Sequence, residues 1–183
     1  MPKKIPDYQS IHTLIFDFDG VFTNNKVIVD SNGIESVICD RSDGLAIDLL
    51  KEFIKLKNWD LKFFILSKEK NNVVKKRAEK LGMKCFNATS NKKEFILDYL
   101  NRNFKDNKNT KNGIVYLGND LNDYEIMDYV GYSVAPIDAH KIILNKADLV
   151  IQKKGGEGFV RDFVEKLLLE NGLIYHEIIK MIR

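Results

Sequence analysis

Apolar residues recur along this chain with two different periods, and each change of period marks a new element. Ile11-His12-Thr13-Leu14-Ile15-Phe16 is a short, partly β-branched run that stops at Asp17, and it reads as a buried strand. Residues 61–66, ending before Ser67, and residues 113–118, ending before Asn119, read the same way. Residues 26–30 and 34–38 flank Ser31-Asn32-Gly33, a hairpin with glycine at its turn. Helical periodicity covers about 44–57, with Asp43 as the expected cap. It returns at about 71–81, stopped by Gly82, and at about 91–103. Residues 104–112 are rich in Asn and Lys and read as a loop. A helix over 121–129, a strand at 132–135, a helix near 139–145 and a strand at 148–151 follow. Gly155-Gly156-Glu157-Gly158 opens a C-terminal helix through Leu169, and Gly172 separates it from an amphipathic stretch at 173–182.

Strands alternate with helices almost throughout. That predicts an α/β fold, a Rossmann-like parallel sheet with helices on both faces. No repeat, low-complexity segment or linker interrupts the 183 residues, so one domain over 1–183 is expected. The hairpin, a flap at about 25–39, is the single insertion.

Composition narrows the class. With 44% hydrophobic residues the chain can bury a core, which excludes disorder as the default. No apolar run approaches the ~18 residues of a membrane span, and Met1–Asp7 lacks the apolar stretch of a signal peptide. Cys39 and Cys85 imply no disulfide framework, so a cytoplasmic location is expected. Three histidines and two cysteines, scattered, argue against tetrahedral zinc. The net charge of +3 is unevenly spread: residues 51–111 carry 17 Lys/Arg against 7 Asp/Glu. These lysines fall on solvent faces of helices without interleaved aromatics, so no nucleic-acid partner is expected. The acidic remainder is more informative, because its carboxylates cluster in two short motifs.

In open α/β sheets, ligands bind at the carboxyl ends of strands. Asp17-Phe18-Asp19-Gly20 sits at such an end, and its two carboxylates can point the same way. Such a pair shares a proton or binds a cation, unless it is only a solvated Asp-Gly turn. Gly118-Asn119-Asp120-Leu121-Asn122-Asp123 follows another strand and adds hard oxygen donors that suit Mg²⁺. A polar helix cap is the alternative there. Ser67 offers a hydroxyl to a phosphoryl oxygen, or caps a helix. Lys92 opens a helix, where the dipole disfavours a cation and a phosphate would explain it; a solvated lysine is the alternative.

The order Asp17-Phe-Asp19-Gly-Val-Phe-Thr23, Ser67, Lys92, Gly118-Asn-Asp120-Leu-Asn-Asp123 resembles the four motifs of haloacid dehalogenase-like phosphatases. The likeness spans nearly the whole chain and is nearest to the small capless branch. That branch includes 3-deoxy-octulosonate 8-phosphate phosphatases, phosphatases of sialic-acid-like 9-phosphates and the C-terminal domains of acylneuraminate cytidylyltransferases. Asp40-Arg41-Ser42-Asp43-Gly44-Leu45 resembles its Asp-Gly segment, and Gly155-Gly156-Glu157-Gly158-Phe159-Val160-Arg161-Asp162 its Gly-Gly-x-Gly-x-x-Arg segment.

The resemblance implies a phosphatase of a 2-keto-3-deoxy sugar-acid phosphate with Mg²⁺ as cofactor. Asp17 would be the nucleophile and Asp19 the general acid/base. Ser67 and Lys92 would hold phosphate. Asp17, Asp19, Asn119 and Asp120 would supply the metal set. Thr23, Arg41, Asp43, Glu69, Asp123 and Arg161 would touch substrate or support those that do. Two departures matter. Position 119 is Asn where phosphatases of the branch carry Asp, a variant that resembles the cytidylyltransferase-attached domains. It leaves room for a retired domain that serves as an oligomerisation or regulatory module of a cytidylyltransferase partner. Lys68-Glu69-Lys70 replaces the Gly-Arg pair of octulosonate enzymes and shifts the expectation toward a nine-carbon substrate. Apolar alternation in the hairpin, with no cap to cover the site, predicts a hairpin-mediated homotetramer.

Overall fold

Four consecutive buried residues, Thr13–Phe16, form β1, the strand from which the first acidic motif emerges. The structure, a computed structural model, describes residues 3–104 and 110–181. Most of the loop expected at 104–112, and Ile182 of the last amphipathic stretch, lie outside the described residues. The other elements are β2 (Ile28–Val29), β3 (Glu35–Ser36), α1 (Arg41–Lys57), β4 (Lys62–Leu66), α2 (Asn72–Leu81), β5 (Lys84–Phe86) and α3 (Lys92–Asn103). After these come β6 (Ile114–Leu117), α4 (Tyr124–Tyr129), β7 (Tyr132–Pro136), α5 (Lys141–Lys146), β8 (Leu149–Ile151), α6 (Phe159–Glu170) and α7 (Tyr175–Met181).

Six strands form one sheet in the order β5-β4-β1-β6-β7-β8, every pair parallel. The strand order turns in opposite directions on either side of β1, so β1 and β6 flank the switch point where an α/β sheet opens a crevice. Phe16 is level with Ile65 on one side and Leu117 on the other. The residues that follow, 17, 67 and 118–120, therefore leave the sheet together.

Side chains of alternate residues enter two separate cores, as the strand period demands. Leu14 and Phe16 join α1, α2, α6 and α7 on one face, while Ile15 joins α3, α4 and α5 on the other. Each large side chain buried in this way contributes about 1.5–3 kcal/mol, so the expected two-faced sheet is held from both sides.

Three expectations need correction. Helix α1 starts at Arg41, and Asp40 is its cap, accepting from Ser42 N at 2.7 Å. Asp43, one turn inside and fully buried, instead accepts from Arg161 N at 2.9 Å. It serves the start of α6, whose own N-cap, Gly158, has no side chain to offer. The hairpin strands shrink to two residues each, paired Ile28 with Ser36 and Val29 with Glu35. The hairpin is covered only in part: Val37 packs against the core, but Val27, Ile28, Val29, Ile34 and Ile38 are all at least 55% exposed. The segment 155–158 does not itself begin a helix, which starts at Phe159. It buttresses the loop after β1: Gly156 N donates to Val21 O at 3.0 Å, and a Cβ on Gly155 would sit 2.0 Å from Gly20 O.

Candidate active site

Asp17 continues β1 by one residue, donating its N–H to Leu117 O, and is 4% exposed. Its Oδ1 accepts from Phe18 N at 2.8 Å and lies 2.8 Å from Lys92 Nζ. Oδ2 has no hydrogen bond to the described residues and stays available to the cleft that Asp17 lines. Lys92 opens α3 and is 4% exposed. Its ammonium donates to Asp123 Oδ1 at 2.7 Å and to Tyr116 OH at 3.1 Å, besides its contact with Asp17.

Tyr116 OH in turn donates to Asp123 Oδ1 at 2.6 Å. The other oxygen of Asp123 accepts from the N–H of Asn119 at 2.8 Å and of Asp120 at 3.2 Å. One carboxylate thus ties the lysine to the loop after β6. The dipole argument for Lys92 resolves differently from the expectation: two buried carboxylates offset its charge, and the structure commits its three protons to them and to Tyr116.

Burial, reinforced by the Asp123 charge and opposed by Lys92, pushes the Asp17 carboxyl up to about 8. Burial alone would lower Lys92, but Asp17 and Asp123 outweigh it and hold the ammonium above its usual value. Asp19, more open, is raised to about 6 by burial and then by the Glu69 charge, with Glu35 adding to it and Lys92 opposing. A carboxylic acid near 6 keeps a proton where ordinary carboxylates have lost theirs, which suits an acid/base role.

Ser67 follows β4 directly and is buried. Its hydroxyl accepts from Glu69 N at 3.1 Å, which leaves the hydroxyl proton to donate elsewhere. Asn119 is 6% exposed and its Oδ1 is buried without a partner. A buried acceptor without a donor costs about 1–3 kcal/mol. The amide lies against Gly20, where a Cβ would be 1.9 Å from Nδ2, so the two acidic motifs meet at that contact. No group of three His, Cys, Asp or Glu that could hold a metal occurs among the described residues. The available donors are therefore Asp17, the orphaned Asn119 oxygen and main-chain oxygens. That set fits Mg²⁺, which takes one or two carboxylates and fills its octahedron with water and phosphate.

A cleft of about 340 Å³ joins these groups; Asp17, Asp19, Ser67, Glu69, Asn119 and Asp120 line it. Six expected residues do not. Arg41 is exposed on α1, outside it. Arg161 pairs with Glu165 one turn along α6. Asp43 is buried beneath α6 and raised to about 6, by burial against the hydrogen bonds it accepts. Thr23 accepts from Gly20 N and Asn25 N at 3.2 Å each, holding the loop rather than facing the cleft. Asp120 spends Oδ1 on Leu121 N at 2.7 Å, as the cap alternative foresaw. Asp123 and Lys92 form the floor without lining the cleft.

The sequence reading missed Tyr116, Glu35 and Asn71. Tyr116 had a signal, a lone hydroxyl inside an apolar strand. Glu35 and Asn71 had none, because they meet 36 residues apart: Asn71 Nδ2 donates to Glu35 Oε2 at 2.7 Å.

The haloacid dehalogenase-like hydrolase profile matches residues 3–161. The 3-deoxy-D-manno-octulosonate 8-phosphate phosphatase KdsC of Escherichia coli K12 is 32% identical over 165 residues, 90% of this chain and 82% of that protein. The crystal structure of 3-deoxy-D-manno-octulosonate 8-phosphate phosphatase from Yersinia pestis matches at 29% identity with a TM-score of 0.77, covering 90% of this chain and 84% of that one. A cobalt-bound deoxy-D-mannose-octulosonate 8-phosphate phosphatase from Haemophilus influenzae matches at 25% identity and a TM-score of 0.76, over 90% and 91% of the two chains. The chain belongs to the haloacid dehalogenase-like hydrolases, in their capless phosphatase branch, and is a phosphoric monoester hydrolase.

Proposed function

We propose that the protein is a Mg²⁺-dependent phosphatase of a 2-keto-3-deoxy sugar-acid phosphate. The observation that carries the reading is Asp17: Oδ1 is pinned by Lys92 and by Phe18 N–H, while Oδ2 is unencumbered beside the cleft. Oδ2 attacks phosphorus, the bond from phosphorus to the leaving oxygen breaks, and an aspartyl-phosphate forms. Asp19 gives its proton to the leaving oxygen. It then takes one from the water that attacks the aspartyl-phosphate, which frees inorganic phosphate and restores Asp17. The Ser67 hydroxyl donates to a phosphoryl oxygen, and Lys92 offsets charge at the nucleophile. Mg²⁺, held by Asp17, the main-chain oxygen of Asp19 and Asn119 Oδ1, with Asp120 at the edge of the set, would supply the positive charge that screens carboxylate from phosphate.

The relatives support an eight-carbon 8-phosphate as substrate. Glu69, exposed at the cleft two residues after Ser67, favours a nine-carbon 9-phosphate as the second reading. Phosphate release from a panel containing both, with Mg²⁺ and with EDTA, tests the proposal. Mg²⁺-dependent turnover of at least one sugar acid, well above that of p-nitrophenyl phosphate, is expected. Equal rates across the panel, or full activity in EDTA, would overturn it.

The exposed apolar hairpin supports assembly into a homotetramer whose neighbours close each cleft. Light scattering should give four chains, and a monomer at micromolar concentration would sink this part.

No helix among the described residues is long and apolar enough to cross a membrane.

A further inference from the structure

The hairpin contributes more to the cleft than an apolar surface. Asn25, Val27, Glu35 and Val37 line its wall, and among them only Glu35 is ionisable. Glu35 stands on β3 opposite Val29. Its Oε2 accepts from Asn71 Nδ2 at 2.7 Å. Asn71 is itself fixed, because its Oδ1 caps α2 by accepting from Val73 N at 3.0 Å. Cap and latch together use both ends of one amide, so the amide orientation is set and the Glu35 carboxylate is tied to the start of α2. Besides the isolated bridge between Thr23 and Cys39 and the turn contacts of Asn25 N with Thr23 and of Lys26 N with Asn24 at its base, this is the one polar tie of the hairpin to the body among the described residues.

The second oxygen of Glu35 has no hydrogen bond to the described residues. Glu35 and Asp19 line the same cleft, so the free oxygen of Glu35 faces the space that an ester bound beside Asp19 would fill. A carboxylate oxygen there is an acceptor for hydroxyl groups and repels anions. We propose that Glu35, latched by Asn71, is a specificity residue that accepts a hydroxyl of a polyhydroxylated leaving group and turns the carboxylate end of a sugar acid away from the hairpin wall. The inference rests on the proposed substrate class only for the carboxylate; the hydroxyl contact needs any polyol phosphate.

Three variants test it. Glu35→Ala removes the acceptor, and Glu35→Gln keeps a neutral one. Asn71→Asp keeps an oxygen to cap α2 but sets a carboxylate against Glu35, so it breaks the latch without losing the cap. Steady-state constants are measured with Mg²⁺ on 3-deoxy-octulosonate 8-phosphate, on sorbitol 6-phosphate and on p-nitrophenyl phosphate, which has no hydroxyls. A site built to hydrogen-bond a hydroxyl loses about tenfold or more in discrimination when that partner goes. Glu35→Ala and Asn71→Asp should cut the selectivity ratio of polyol ester over p-nitrophenyl phosphate by that amount, chiefly through KM, with Glu35→Gln in between. An unchanged ratio, or losses equal on all three esters, would overturn the proposal and leave Glu35 as a structural tie. A wild type that prefers sorbitol 6-phosphate over the sugar acid, with the same KM effects, would overturn the substrate class and sustain the role of Glu35.

Discussion

The floor and the rim of the cleft are built on opposite principles. On the floor, Asp17, Lys92, Asp123 and Tyr116 are all at most 4% exposed, and one network of charges and hydrogen bonds joins them while leaving Asp17 Oδ2 to the cleft. On the rim, the hairpin has two-residue strands, five apolar side chains that are each more than half exposed, and one side-chain latch. Burial makes each floor contact expensive to disturb, because an unpaired charge in low dielectric finds no water. Exposure makes the rim tolerant of change. The proposed reading assigns the chemistry to the floor and the choice of phosphate ester to the rim.

The contrast predicts that floor substitutions act on rate and folding and rim substitutions on selectivity. Asp17→Asn is the severest case. Turnover should fall on the order of 10³–10⁶-fold, the range seen when a nucleophile is removed, with the fold retained. The same variant has a pH signature. A carboxyl raised to about 8 in the folded state prefers its proton there, so its stabilising contribution is complete below pH ~4 and disappears as pH rises through 8. Asp19 and Asp43, raised to about 6, act in the same direction at lower pH. Without metal, thermal unfolding of the wild type should therefore decline from pH 5 to 8, and Asp17→Asn should flatten the upper part of that decline. If the variant keeps wild-type activity, the floor is not the chemical centre.

Asp123→Asn probes whether the floor is one unit. Asp123 accepts four hydrogen bonds, from Lys92 and Tyr116 on one oxygen and from Asn119 and Asp120 on the other. An amide must turn a donor toward one of those pairs. Breaking a buried ion pair by removing one partner costs about 3–5 kcal/mol, a melting temperature lower by roughly 10 °C in a chain of this size. Activity should fall as well, since the Asn119 loop loses its anchor. A melting temperature within a degree of the wild type would mean that floor and rim do not differ in the way described.

The same contrast explains what the sequence made legible. The floor residues stand at ends of apolar runs, where strand period and burial leave a polar residue one plausible position; Asp17, Ser67 and Asn119 were found that way. The sheet followed from the same runs. Asp43 was misplaced because Asp40 competes for the same cap, and only tertiary contact with α6 separates them. Arg161 matched a motif whose glycines carry the structural content, against the Gly20 loop. The strands of the hairpin were overdrawn because alternation in sequence does not say whether a face will be covered within the chain. The latch from Glu35 to Asn71 joins two elements with no periodicity in common.

Asn119→Asp is the subtler test, because residue 119 belongs to the floor by burial and to the proposed metal set by its orphaned oxygen. Without metal, a new carboxylate beside Asp17 adds like charge to a site where Asp17 is already pushed up to about 8. It also remains pressed against the Gly20 backbone. The variant should therefore unfold at a lower temperature than the wild type in EDTA, and more so at pH 8 than at pH 5. With Mg²⁺ the order should reverse, since Mg²⁺ affinity rises with ligand charge. Altering one ligand or its support shifts metal affinity on the order of 10–100-fold. The wild type should then need Mg²⁺ in the millimolar range, roughly that factor above the variant. Thermal shifts against Mg²⁺ read the change directly, and activity at low Mg²⁺ should rise in parallel. If Asn119→Asp binds Mg²⁺ no better than the wild type while still losing stability in EDTA, residue 119 is floor alone. The orphaned amide oxygen is then not a ligand, and Asp120, which caps the next turn at the cleft edge, takes its place as the candidate.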